Sequence, residues 1–109
     1  MGKKAVEHTA LLVLSLLSTE DMYGYQMISR LEQKFDSTFS MQEGTLYPVL
    51  RKLENQGAVR SYEQQAPSGR IRKYYHLTAS GKLLLRQEAR QWEAYQQGVS
   101  SVVKLAVLD

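Results

Sequence analysis

Residues 44–57, "GTLYPVLRKLENQG", carry two kinds of side chain at helical spacing. At about 100° of rotation per residue, Leu46, Val49, Leu50 and Leu53 fall within one arc of about 100°. Thr45, Pro48, Lys52 and Asn55 point the opposite way, flanked by Tyr47 and Arg51. Such a polar, basic face can reach phosphates and base edges when its helix lies in a major groove. The same composition would also serve a charged, solvated surface helix. A second cluster follows downstream, where Arg70, Arg72 and Lys73 stand beside the loop "APSG", Ala66 to Gly69. Cations at a hairpin tip make a second contact point for phosphates or the minor groove. A charged edge strand guarding against aggregation would look alike.

These clusters need elements to hold them. From Ala5 to Ser18 the residues are helix formers, apolar almost all round. That predicts a helix buried on more than one side, the second side against another chain. "STED", Ser18 to Asp21, reads as a break, with Glu20 and Asp21 as a cap rather than an acid/base pair. A second helix is expected from Met22 or Tyr23 to Phe35, capped by Asp21, with Tyr25, Ile28, Leu31 and Phe35 on one face. "DSTFS", Asp36 to Ser40, is a polar connector.

The third helix starts near Ser40, whose spacing to Glu43 fits a capping box, or near Gln42. Pro48 lies inside it and removes one backbone bond. Gly57 stops it. Two β-like runs follow, "AVRSYEQQ" and "RIRKYYHLT". In the second, Ile71, Tyr75 and Leu77 share a face with the stem of Lys73, while Arg70, Arg72, Tyr74 and His76 share the other. Thr78 caps a last helix from about Ala79 to beyond Val103. Within it Trp92, Tyr95, Val99, Val102 and Ala106 recur at steps of three and four, the spacing of a helix that seeks a partner helix. Gly98 weakens that helix by about 1 kcal/mol relative to alanine. The order predicts a mainly α chain with a small β-hairpin: a winged helix-turn-helix domain over residues 1–78, then a dimerisation helix over 79–109.

The totals agree with a DNA-facing protein without requiring one. The chain has 109 residues, 43% hydrophobic and 23% charged, with a net charge of +3. It is one domain of ordinary soluble composition, and the charge weakly favours an anionic partner. It has no cysteine. That rules out disulfides, cysteine nucleophiles and thiolate metal sites, and fits the cytoplasm as the expected location. The apolar run Ala10 to Leu17 falls far short of the roughly 20 residues that span a bilayer. Lys3 and Lys4 precede it, but Glu7 and His8 intervene and no small-residue cleavage site follows, so a buried helix is expected rather than a signal peptide. His8 and His76 lie in different elements and form no ligand set. No nucleophile elbow, phosphate-binding loop or dinucleotide fingerprint occurs. Neither an enzyme nor a cofactor nor a metal site is expected.

The third-helix segment, the basic hairpin and "RKYYHLTASGK" together resemble the PadR family of bacterial transcriptional regulators. "MYGYQMISRLE", Met22 to Glu32, is similar to the family's second helix. The resemblance runs from about Ala10 to Gly81. The length and single C-terminal helix resemble the family's short branch, in which that helix makes the dimer. The resemblance implies a homodimeric winged-helix protein that usually represses transcription, and many members release DNA on meeting small aromatic compounds. It places Thr45, Tyr47 and Lys52 on a recognition helix. Tyr23 and Tyr25 would sit near the start of the supporting helix, where backbone amides can meet phosphate. Gly69, Arg70, Arg72 and Lys73 would form the wing. One departure is Gln42-Glu43, where many members carry Ser-Pro.

Trp92 is the sole tryptophan. It fits a dimer core. In multidrug-sensing members of the short branch, two such tryptophans sandwich a flat ligand across the dimer axis, and the resemblance extends that expectation here. Glu88 and Gln96 lie four residues either side on its face, Ala89 one turn before, and Leu11 is the expected lining from the first helix. Glu88 would favour a cationic ligand. The dimer interface is expected to use Trp92, Tyr95, Val99, Val102 and Ala106, with Leu14 from the first helix. Two other readings stay open: a winged-helix module that binds protein, and a DNA-binding regulator with no small-molecule effector.

Overall fold

The computed structural model describes residues 8–34 and 41–107. The first helix, α1, covers Thr9–Leu17. Its proposed start at Ala5 lies outside the described residues. Val13, Leu14 and Leu17 are buried, and Leu12 and Leu16 pack partly against the same core. At its end the Ser18 and Thr19 hydroxyls donate to the Ser15 and Leu16 carbonyls at 2.6 and 2.7 Å. These bonds satisfy groups a helix terminus leaves open. Leu14 is fully buried within the protomer, so it belongs to the core and not to an interface.

The expected start of the second helix divides in two. Met22–Tyr23 form a short strand, β1, and α2 runs over Gly24–Lys34. β1 pairs with a later strand in the register Met22↔Tyr75 and Tyr23↔Tyr74. Burying Met22 completely pulls its backbone against the sheet, and pairing there satisfies amides that a helix start would leave open. Asp21 does not cap α2. The Gln26 side chain reaches back instead and accepts from the Tyr23 amide at 3.4 Å. The buried face of α2 is Gly24, Met27, Ile28 and Leu31. Tyr25 was expected on that face but is 60% exposed. Phe35 and the connector to Ser40 lie outside the described residues.

The third helix, α3, covers Glu43–Asn55 with Gln42 as its N-cap, the later of the two starts considered. Gln42 makes no side-chain cap bond; its carbonyl accepts from the Thr45 and Leu46 amides, each at 3.0 Å. Ser40 lies outside the described residues. Leu46, Leu50 and Leu53 are buried and Val49 packs against the core, so the leucine edge anchors the helix. At the far end the Ala58 amide donates to Leu53 at 2.9 Å and the Gly57 amide to Glu54 at 3.0 Å. This double closure requires a left-handed residue, and Gly57 supplies it at φ 78°.

The hairpin strands β2, Val59–Gln65, and β3, Ile71–Leu77, pair from Val59↔Leu77 to Gln65↔Ile71. β3 is central in a three-stranded antiparallel sheet of order β1-β3-β2. The last helix, α4, covers Ala79–Val107. Thr78 caps it as expected, accepting from the Gly81 amide at 3.0 Å. Leu84 and Leu85 pack on the core, while residues 90–107 are exposed. The protomer therefore extends to 59 × 29 × 22 Å.

Candidate nucleic-acid interface

The leucine edge of α3 fixes what its other edge presents. Pro48, Arg51, Lys52 and Asn55 are exposed, and Thr45 is half-buried. Beside this edge a cleft of about 610 Å³ opens between the hairpin and the starts of α2 and α3. Tyr23, Gly24 and Tyr25 form one wall, Glu43 and Tyr47 the floor, and Arg70 to Lys73 with Tyr75 the other wall. The structure thus gathers Tyr23, Tyr25, Tyr47, Arg70, Arg72 and Lys73 around one space. Gly69 sits at the hairpin turn with φ 92°.

Two of the cations are steadied by rings. The Arg72 guanidinium lies 4.5 Å over Tyr23 and the Lys73 ammonium 5.7 Å over Tyr75. Tyr47 closes the floor against Gly24, where an added Cβ would sit 2.7 Å from the Tyr47 Cζ. Burial, then the Glu43 carboxylate and Tyr75, push the Tyr47 hydroxyl above its ordinary pKa.

The sheet's outer face braces the wing. The Tyr62 and Tyr74 rings stack at 5.7 Å, and Tyr74 meets Tyr23 edge-on at 5.4 Å. Asp21 ends this row, accepting from the Tyr62 hydroxyl at 2.7 Å and lying 2.9 Å from His76 Nδ1. A continuous chain of contacts runs from Asp21 through the tyrosines to Arg72. Sequence reasoning placed Tyr74, His76 and Arg72 on one face but missed Asp21 and Tyr62. The signal was the matching alternation in both strands, which sets Tyr62 opposite Tyr74. Ile71, Glu43 and Tyr75 were also missed as cleft residues.

A second cavity of about 350 Å³ lies between α1 and α4. Its lining joins the expected Leu11, Glu88 and Trp92 with His8, Gln91 and Tyr95. Ala89 and Gln96 fall outside it. Residues 88, 91, 92 and 95 follow one helical stripe toward α1, and 89 and 96 sit a turn-step off it. The His8 and Trp92 rings meet edge-on at 4.7 Å. Trp92, Tyr95, Val99, Val102 and Ala106 all remain exposed on the protomer. Among the described residues no helix is long and apolar enough to cross a membrane.

Comparison with known proteins covers these same elements. The model of the transcriptional regulator PadR-like family matches residues 13–87. A transcriptional regulator from Clostridium thermocellum superposes with a TM-score of 0.84 at 28% identity, over 94% of this chain and 99% of that one. A PadR family transcription regulator from Clostridium difficile gives 0.76 at 30% identity, over 88% and 98%. The negative transcriptional regulator PadR of Bacillus subtilis is 28% identical over 92 residues, 84% of this chain. The chain spans only 48% of that relative's length. With its winged-helix elements in order and the match running from α1 into α4, the chain belongs to the PadR-like family of transcriptional regulators.

Proposed function

We propose that the protein is a homodimeric repressor that reads palindromic duplex DNA with α3 and the basic wing. The observation that carries this is the convergence of Arg70, Arg72 and Lys73 with Tyr23, Tyr25 and Tyr47 around one cleft, while Pro48, Arg51, Lys52 and Asn55 stay exposed on α3 outside it. Residues 1–78 serve as the reading unit. Residues 79–109 serve as the pairing segment, through the exposed stripe of Trp92, Tyr95, Val99, Val102 and Ala106 on α4. Pairing gives two recognition helices, which on a twofold axis read half-sites about 34 Å apart. The B. subtilis relative's name, a negative regulator, supports repression. The cavity at Trp92 supports a planar aromatic effector, and Glu88 in its lining supports a cationic one.

A gel shift on the DNA upstream of the gene, with a salt series and a panel of planar aromatics, tests the whole reading. Binding is expected to fall steeply with salt, with a log–log slope of about −0.9 per phosphate neutralised. Flat salt dependence would favour a protein-binding module. A Trp92 fluorescence titration separates the effector question, since a regulator without an effector gives no response to any planar cation.

A further inference from the structure

We infer that the cleft between the wing and the two helices holds one sugar–phosphate strand of the duplex, and that Ile71 is the apolar contact to its deoxyribose. This rests on the DNA-reading role proposed above. Major and minor grooves are divided by a backbone strand. A helix in one groove and a wing in the next must therefore have that strand between them. The space between α3 and the wing strand β3 is the 610 Å³ cleft.

Its walls suit a strand that alternates charged phosphate with uncharged sugar. Arg70, Arg72 and Lys73 offer cations, with Arg72 fixed over Tyr23. Tyr25 and Ile71 offer apolar surface that the fold itself leaves open, at 60% and 64% exposure. Along β3 the face shared by Ile71, Lys73, Tyr75 and Leu77 passes from open to core, with Tyr75 and Leu77 buried. Ile71 therefore adds little to folding. A branched aliphatic side chain left open on that face gains only when uncharged surface covers it. Glu43, the acidic residue in the lining, faces the same path and weakens indiscriminate phosphate contact.

The test is fluorescence anisotropy with a labelled duplex of the gene's upstream DNA across a salt series. Ile71→Thr keeps β-branching and strand propensity while replacing apolar surface with a hydroxyl. It is expected to weaken binding by about tenfold at every salt concentration without altering the log–log slope, because the lost contact is uncharged. Tyr25→Ser, on the opposite wall and another element, is expected to show the same signature. Arg72→Ala is expected to flatten the slope by about 0.9. Unchanged melting temperatures of Ile71→Thr and Tyr25→Ser confirm intact folds. If both variants bind like the wild type while Arg72→Ala flattens the slope, the cleft assignment falls and DNA reading stands. If wild-type binding shows no salt dependence, both fall.

Discussion

Asp21 sits just before β1, and it ties the entry of that strand to β2 and β3 through Tyr62 and His76. Partial burial pushes its carboxyl up. Hydrogen bonds from Tyr62 and His76, with the charges of His76 and Arg60, outweigh that and hold its pKa below the ordinary 3.8. A depressed carboxyl stabilises the fold above its unfolded pKa, and that stability is lost as pH falls through the folded value. Because the side chain is about one-third exposed, the expected loss for Asp21→Asn at neutral pH is only about 1 kcal/mol. Urea midpoints of wild type and variant should converge as pH drops below the carboxylate range. A constant gap at all pH values would remove Asp21 as the linked group. Glu43 argues the other way, for binding rather than folding. Glu43→Gln removes a negative charge from the cleft, so affinity for duplex DNA should rise several-fold at low salt and the gain should fade as salt increases. Anisotropy at two salt concentrations reads both effects. Neither role was legible in the sequence. A carboxylate after "ST" and before an apolar run looks like a cap, and only the sheet register reveals that Tyr62 and His76 reach it first.

At the scale of elements, two glycines in α4 have opposite duties. A Cβ on Gly81 would collide with the Ala58 carbonyl oxygen and the Leu77 side chain. The neighbour is backbone and cannot turn aside, so Gly81→Ala should destabilise by about 2 kcal/mol or more and tilt the start of α4. Gly98 has nothing within 4 Å of such a Cβ. Gly98→Ala should stabilise by up to about 1 kcal/mol through helix propensity alone. Thermal melts of the two variants should therefore move in opposite directions, and a loss in both would mean that Gly98 has a neighbour beyond the protomer. The sequence foretold only the second of these effects, because propensity is local and close approach is not. The same division runs through the fold. α3 was legible because four apolar residues and Gly57 specify it within one stretch. Thr78 was legible as a cap for the same reason. β1 was not, since two residues carry no periodicity and their pairing partner lies some fifty positions away. Tyr25 was misplaced because its spacing to Ile28 and Leu31 matches the buried stripe, whereas Gly24, without a side chain to register in such a pattern, takes the inner position against Tyr47.

The whole molecule is a winged-helix domain on a long, exposed helix. Beyond Tyr95, whose turn still borders the cavity against α1, α4 is exposed, and Val99, Val102 and Leu105 stay on its surface. A helix with such a stripe reaches its lowest free energy by covering it with another helix, and a second copy supplies the matching stripe by symmetry. Val102 is 66% exposed in the protomer, so Val102→Glu should leave the winged domain folded while placing a charge at the centre of the proposed pairing surface. Light scattering is expected to show a dimer for the wild type and a monomer for the variant. The variant should then engage a single half-site, with half the phosphate contacts and a log–log salt slope about half that of the wild type. The slope separates the two ways this picture can fail. A monomer with an undiminished slope would mean that one protomer makes every phosphate contact. A dimer that persists through Val102→Glu would mean that another surface, not this stripe, joins the two chains.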